Sequence, residues 1–344
     1  MDLIQTLTDL SQTPGPAGAE TQAAALAMEL LRPHADEVTR DPLGSVIGTR
    51  FCGKQGAKRV LIEAHIDEVG FVVTGYKGAF LTLAALGHVD ARHLPGTRLC
   101  LRTDPPRVGV IACLPPHVLS KGDMDKAIGL DDMVLDLGLS EETAKTVPLG
   151  TPVVYDTAPA VLGETRFAGK AMDNRASIAA VLLALEKLPR ALDFDLQILF
   201  STQEELGLRG AKPAAYTLEP DLAIALDVTF AHTPDTAKEK TVPLGGGAAI
   251  GVGPILNRPL SERLIHLAET QNISHQVEVL PGTTSTTADM LQIARRGVPT
   301  ALISLPLRYM HAASELVDLS DIEAAAALLT AFLLDLEEGG FPHA

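Results

Sequence analysis

Tryptophan is absent from the chain, and aromatic residues make up only 4% of its 344 positions. Enzymes that hydrolyse polysaccharides usually stack sugar rings on aromatic side chains, which are scarce here. A glycosidase also needs two metal-free carboxyl groups about 5–10 Å apart. The composition therefore argues against a cellulase.

Cysteine and basic residues are scarce as well. The three cysteines, Cys52, Cys100 and Cys113, are odd in number and lack the spacing of metal ligands. They predict reduced thiols in a cytoplasmic protein rather than a disulfide framework. Acidic residues outnumber basic ones by 43 to 28, giving a net charge of −15. Nucleic acid is therefore not an expected partner, because its phosphates require a basic surface.

Long apolar runs are also missing. No run approaches the ~20 residues that a membrane helix needs, so we expect no membrane association. The start of the chain, Met1–Ile4, lacks the basic region and apolar core of a signal peptide.

The sequence does contain enough apolar residues, 46%, for a large buried core. Helical and strand patterns alternate over residues 1–68 and again over 165–344, which is typical of an α/β domain with a doubly wound sheet between helices. Residues 69–164 instead contain short β-type segments separated by proline and glycine turns. We therefore predict a discontinuous α/β domain interrupted by a small, β-rich insert of barrel-like character.

Polar residues with metal-binding chemistry follow the predicted strands of the α/β domain. The positions that share this placement are His65, Glu204, Glu205, Asp227 and His311, and Asp173 stands at the start of a predicted helix. Loops at the carboxyl ends of strands in such a sheet form its binding crevice. Two imidazoles and several carboxylates suit a pair of divalent ions, with one carboxylate bridging and one acid left as a base.

Each of these residues also has a structural interpretation when it is taken alone. A Glu-Glu pair often begins a solvated helix, and Asp173 could cap the helix that follows it. His65 could be a surface histidine, although Asp67 lies on the same face of an extended segment and could fix its orientation. It is the combination of positions that favours a metal site.

Two other segments have weaker signals. His88, Asp90 and His93 resemble a ligand cluster but lack a third strong ligand at suitable spacing, so we interpret them as an ordinary loop. Gly245–Gly247 is not followed by Gly-Lys-Ser/Thr and is interpreted as a plain loop rather than a phosphate site.

The sequence resembles the tetrahedral (TET) aminopeptidases, a family of dinuclear metallo-exopeptidases of which some carry a cellulase or endoglucanase label. The resemblance covers nearly the whole chain. It is carried by Ala64–Gly70, Gly169–Arg175, Gln203–Gly207, Ala225–Thr229 and Arg308–His311, and it includes Leu94–Gly96 and Pro115–Ser120 in the insert.

The resemblance implies a role for each candidate residue. His65 and Asp227 would hold one metal, Glu205 and His311 the other, with Asp173 bridging, Glu204 as the general base and Asp67 orienting His65. The two ions per chain would be zinc or cobalt, although a mixed histidine and carboxylate site also accepts manganese. The insert would be a dimerisation domain, and the dimers would form a homo-oligomer, a hollow tetrahedral dodecamer.

The expected reaction is release of one residue from the N-terminus of a short peptide by a water that bridges the two ions. An alternative is a metal-dependent hydrolase of N-acyl amino acids, but such relatives generally carry their extra domain after the Glu-Glu pair. A non-enzymatic metal-binding assembly protein would have no use for a spare carboxylate beside Glu205. Two departures from the family pattern, Thr287 and His232 in place of acids, bear on substrate preference more than on the chemistry.

Overall fold

The computed structural model describes residues 1–120, 122, 126–234 and 236–341. Its helices are α1 (Leu3–Gln12), α2 (Thr21–Leu31), α3 (Glu141–Ala144), α4 (Met172–Lys187), α5 (Ala211–Leu218), α6 (Arg258–Thr270), α7 (Ala288–Leu291) and α8 (Leu319–Gly339). None of the helices in this part of the chain combines the length and the apolar character that a bilayer crossing requires.

A mixed eleven-stranded sheet forms the centre of the larger part of the described chain. Its strands are β1 (Glu37–Arg40), β2 (Val46–Arg50), β3 (Arg59–His65), β10 (Ala160–Leu162), β11 (Arg166–Gly169), β12 (Asp195–Ser201), β13 (Leu222–Phe230), β14 (Ala248–Val252), β15 (His275–Val279), β16 (Thr300–Arg308) and β17 (Glu315–Asp318). The order is β1-β2-β12-β3-β13-β16-β17-β11-β10, and β14 joins β15 to β16. The central neighbours β12, β3, β13 and β16 are parallel, so their carboxyl ends meet at one edge.

Helices cover both faces of this sheet, because apolar residues on its central strands alternate in direction. On β3, Val60 and Ile62 pack with α1, α2, α4, α6 and α8 in the main core. Leu61, between them, packs with α5 and α7 on the opposite face. The predicted α/β fold with a doubly wound sheet is therefore confirmed.

The remaining strands close a six-stranded antiparallel barrel in the order β4-β5-β8-β7-β6-β9. These strands are β4 (Gly70–Lys77), β5 (Phe80–Leu86), β6 (Arg98–Leu101), β7 (Arg107–Ala112), β8 (Val134–Asp136) and β9 (Pro152–Tyr155). The barrel has its own apolar core, which includes Phe71, Leu99 and Leu135. Closure pairs every strand and leaves no open edge.

Some elements differ from what the sequence pattern predicts. The pattern predicts one helix over residues 288–296, but the helix ends at Leu291, and Arg295 and Gly297 have positive φ angles of 53° and 95° that cannot continue it. Strand β13 continues through Asp227 to Phe230 instead of stopping before it. Strand β8 was not predicted, since three residues are too short for a recognisable pattern.

Arg175 in α4 connects the start of the chain to the central sheet. It is completely buried, and its guanidinium donates to the backbone carbonyls of Ile66, Leu10 and Thr13. One of its nitrogens also lies 3.5 Å from a carboxylate oxygen of buried Glu68. The arginine thus satisfies three carbonyls and partly neutralises an acid at a place that water does not reach.

We expect Arg175→Met to lower the free energy of unfolding by about 3–5 kcal/mol, because the backbone carbonyls of Ile66, Leu10 and Thr13 lose their donor, whereas Glu68 keeps its ion pair with Lys170. Urea denaturation of both proteins would measure this loss. Arg190→Met is the matched control: Arg190 pairs with Asp36 at 2.8 Å, but its side chain is 57% exposed, so its loss should cost at most about 1 kcal/mol. Equal losses in the two variants would show that the buried contacts of Arg175 contribute no more to the free energy of unfolding than an exposed ion pair does.

Candidate metal centre

The predicted site residues meet at the carboxyl edge of the parallel strands. His65 is the last residue of β3, and Asp227 lies in the neighbouring strand β13. Glu204 and Glu205 follow β12 on the other side of β3, and the loop after β16 carries His311. The sheet order thus brings together residues that are up to about 250 positions apart in the chain.

Asp173 lies between the two imidazoles. Its Oδ1 is 3.0 Å from Nε2 of His65, and its Oδ2 is 3.2 Å from Nε2 of His311. The same His311 nitrogen is 3.3 Å from Oε1 of Glu205. One carboxylate therefore presents each of its oxygens to a different histidine, which is the arrangement that a bridging ligand needs.

Asp227 and Glu204 complete the cluster on the His65 side. Each has a carboxylate oxygen 3.9 Å from Nε2 of His65. In two sets of three residues, the possible ligand atoms all lie within 4.8 Å of one another. One set is His65, Glu204 and Asp227, and the other is His65, Asp173 and Glu205. Distance alone does not distinguish Asp227 from Glu204. However, Oδ2 of Asp227 is buried without a hydrogen-bond partner, and a cation would satisfy it.

The carboxylate of Asp67 makes contacts that the sequence did not predict. It accepts hydrogen bonds from the backbone amides of Glu204 and Glu205, at 2.9 and 3.0 Å. Its distance to Nδ1 of His65 is longer, 3.5 Å, and the backbone carbonyl of Asp67 is closer to that nitrogen at 3.2 Å. Asp67 thus contacts the histidine and the glutamate pair together.

Burial shifts the pKa values of these carboxyl groups. It raises the pKa of Glu204 to about 9 and raises those of Glu205 and Asp227 above their usual range. At Asp173 burial acts in the same direction, but hydrogen bonds from His311 and His65 leave its pKa below the ordinary value. The raised pKa values favour the protonated forms of these carboxyl groups. Because a divalent ion favours the charged carboxylates, it would displace those protons.

Two buried glutamates beside the cluster had no recognisable signal in the sequence. Glu315 accepts hydrogen bonds from the amides of Asp173 and His311. Glu63 accepts from the hydroxyls of Ser201 and Thr287, and burial raises its pKa to about 7. Neither glutamate lies at a distinctive spacing from the predicted ligands, so only the fold reveals these contacts.

The two departures from the family pattern have structural partners. Thr287 donates its hydroxyl to Glu63. The ring of His232 hydrogen-bonds Thr241, and its carbonyl accepts from Nε of Arg308 at 2.6 Å. Neither residue belongs to the donor sets found among the described residues.

The two weaker sequence signals have ordinary structural explanations. The carboxylate of Asp90 pairs with Arg92 at 2.5 Å. The amides of Gly245 and Gly247 donate to the carboxylate of Asp321, at 2.8 and 2.7 Å. These amides already have an acceptor from within the protein, which agrees with a plain loop.

Comparisons with known proteins agree with the fold. The family model for M42 glutamyl aminopeptidase matches residues 44–328. A lysyl aminopeptidase from Pyrococcus furiosus is 36% identical, and the match covers 96% of each chain. The solved TET aminopeptidase of a marine sediment Thaumarchaeota archaeon is 30% identical, with a TM-score of 0.91 over 98% of each chain.

A second solved structure is the TET1 peptidase of Pyrococcus horikoshii, described as able to assemble into a tetrahedron or a large octahedral shell. It is 29% identical, with a TM-score of 0.84 over 96% of this chain and 99% of that one. Because the family model spans most of the sequence and the relatives match nearly end to end, the chain belongs to the M42 aminopeptidase family and is a peptide hydrolase.

Proposed function

We propose that this aminopeptidase releases single N-terminal residues from short peptides by means of two divalent metal ions. His65 and Asp227 would hold one ion, Glu205 and His311 the other, and Asp173 would bridge them. The observation that carries this assignment is the position of Asp173, whose two oxygens face two different imidazoles at 3.0 and 3.2 Å.

When bound, the two ions would polarise the scissile carbonyl and make a water molecule more acidic. Glu204 would take a proton from that water and deliver it to the leaving amine. Burial raises the pKa of Glu204 to about 9, and nearby positive charge would lower it towards the neutral range that a general base needs. Asp67 would keep Glu204 in place through its backbone amide.

A free N-terminus can make contacts at this site that an acylated one cannot. Four carboxylates, Asp173, Glu204, Glu205 and Asp227, would balance the charge of two divalent ions. A free amine could bind an ion through its nitrogen lone pair or donate to a carboxylate as an ammonium, whereas the lone pair of an acylated nitrogen is delocalised into its carbonyl. This difference favours an aminopeptidase over a hydrolase of N-acyl amino acids.

The metal identity follows from the donor set only in part. Imidazole with carboxylate accepts zinc, cobalt and manganese, and we propose zinc or cobalt. The cytoplasmic location that the sequence predicts stays a prediction. The three cysteines are free, as that prediction requires.

For the assembly, we propose that the barrel forms dimers and that the dimers build a tetrahedral dodecamer. The barrel exposes apolar side chains that a partner could cover, among them Val108, Val110 and Leu114, which are 45%, 42% and 64% exposed. The assembly of the Pyrococcus horikoshii relative into a closed shell supports this proposal.

The purified protein, supplied with zinc or cobalt, should hold about two divalent ions per chain. Elemental analysis after removal of loosely bound metal would measure this ratio. Occupancy should fall as the pH is lowered, because the carboxyl groups with raised pKa values must lose protons before they bind metal. A ratio of one ion or less in excess metal would contradict the dinuclear site.

The two adjacent glutamates should respond differently to the same substitution. Glu204→Gln removes the base but no proposed ligand, so metal content should remain while turnover falls roughly 10²–10⁴-fold. Glu205→Gln weakens a ligand, so one ion should be lost and excess metal should restore part of the activity. If Glu204→Gln lost metal and Glu205→Gln kept it, Glu204 would be the ligand and Glu205 the base.

N-acetylation of a good peptide substrate should abolish turnover, because it removes the free amine that the ions and carboxylates would bind. Chromatography of the products from matched free and acetylated peptides would measure this. An enzyme that cleaves both at the same rate would be an amide hydrolase of the alternative class. Carboxymethyl cellulose, included as a third substrate, should remain intact.

A further inference from the structure

Glu315 is completely enclosed at the start of β17 and makes its hydrogen bonds to two segments of the site. Its exposed fraction is 2%. Oε2 accepts from the backbone amide of Asp173 at 3.0 Å, and Oε1 accepts from the backbone amide of His311 at 2.7 Å. One carboxylate therefore links the main chain of the proposed bridging ligand to that of a terminal ligand.

Strand pairing places Glu315 at this position. Glu315 lies opposite Gly169, the last residue of β11, in the antiparallel pair of β11 with β17. The chain then passes from Gly169 to Asp173 on one side, while His311 lies four residues before Glu315 on the other. The sheet thus directs both ligand segments towards the same side chain.

Both segments need such support, because each contains a residue in a left-handed conformation. Ala171, two residues before Asp173, has a φ of 60°, and His311 itself has a φ of 64°. Non-glycine residues in this region are strained and persist only where surrounding contacts hold them. The two hydrogen bonds to Glu315 are contacts of this kind.

We propose that Glu315 is a positioning residue of the metal centre, which sets the separation of Asp173 and His311 and thereby the affinity for the ion between them. This inference rests on the proposed dinuclear site and adds to it a residue that binds no metal itself. Groups that orient metal ligands typically contribute 10–100-fold to metal affinity.

The test is the isosteric variant Glu315→Gln. A glutamine has one acceptor oxygen, so it can satisfy only one of the two amides, and its NH₂ group would face the other donor. We expect the affinity for one of the two ions to fall 10–100-fold, measured for zinc and for cobalt by competition with a chromophoric chelator. Saturating metal should restore kcat to near the wild-type value.

Asp321→Asn is the matched control. Asp321 is also buried, at 1% exposure, and its carboxylate accepts from two backbone amides, those of Gly245 and Gly247. The control therefore loses the same kind of interaction at a place with no proposed ligand. Its stability should fall, but its metal affinity should stay within about two-fold of wild type.

The outcomes separate this inference from the proposed function. If the wild-type protein binds fewer than two ions, the dinuclear proposal fails, and with it the basis of this inference. If the wild type binds two ions and Glu315→Gln binds each of them as tightly as the wild type does, only the role of Glu315 is overturned. Equal losses of metal affinity in Glu315→Gln and Asp321→Asn would also overturn the role of Glu315, because they would show that lower stability alone weakens metal binding.

Glu315→Asp provides a second variant in case the glutamine variant does not fold. It keeps the charge but is one methylene shorter, so it cannot reach both amides in the same geometry. A weaker affinity for one ion, with an unchanged KM at saturating metal, would support positioning. Wild-type affinity in a folded Glu315→Asp protein would contradict it.

Discussion

The confinement of several carboxylates in a space that water hardly reaches is the constraint on which the rest of the structure depends. Asp173 and Asp227 are 6% and 5% exposed, and Glu205 is 8% exposed. Like charges at such a place repel one another strongly, because little solvent screens them. Protons or cations must compensate this charge, and two imidazoles among the acids make divalent metal the natural compensation.

The fold meets this constraint by holding the acidic side chains through their main chain. Asp67 accepts hydrogen bonds from the backbone amides of Glu204 and Glu205. Glu315 accepts hydrogen bonds from those of Asp173 and His311. In both cases the two oxygens of a buried carboxylate accept hydrogen bonds from the backbone of proposed site residues. The site is therefore built as a set of fixed backbone positions, and metal-site geometry requires such rigid support.

The barrel is not remote from this centre. The hydroxyl of Tyr155, in its last strand, donates to the carbonyl of His311 at 3.3 Å. Gly87, just after β5, has a φ of 87° and lies so close to Glu205 that a Cβ there would approach its side chain to 3.3 Å. The barrel thus contacts both residues proposed for the second ion, in addition to its proposed role in assembly.

The sequence by itself determined that His65 and the Glu204–Glu205 pair stand at or just after the ends of buried strands. The apolar run before His65 and the one before the glutamate pair are visible without coordinates, because buried parallel strands are nearly continuous in apolar residues. The alternation of elements likewise predicted the fold class and the separate barrel. Motifs in these segments carried the family resemblance, which the comparisons confirmed.

Only the tertiary structure decided how those residues meet. The pairing of β11 with β17 places Glu315 between Asp173 and His311, and no local pattern encodes a contact between segments 142 residues apart. The same holds for Glu63 and Thr287, joined across 224 residues. Local signals such as periodicity, turns and caps depend on neighbours in the chain, whereas these hydrogen bonds depend on strand order and register. Strand order and register are properties of the folded sheet as a whole.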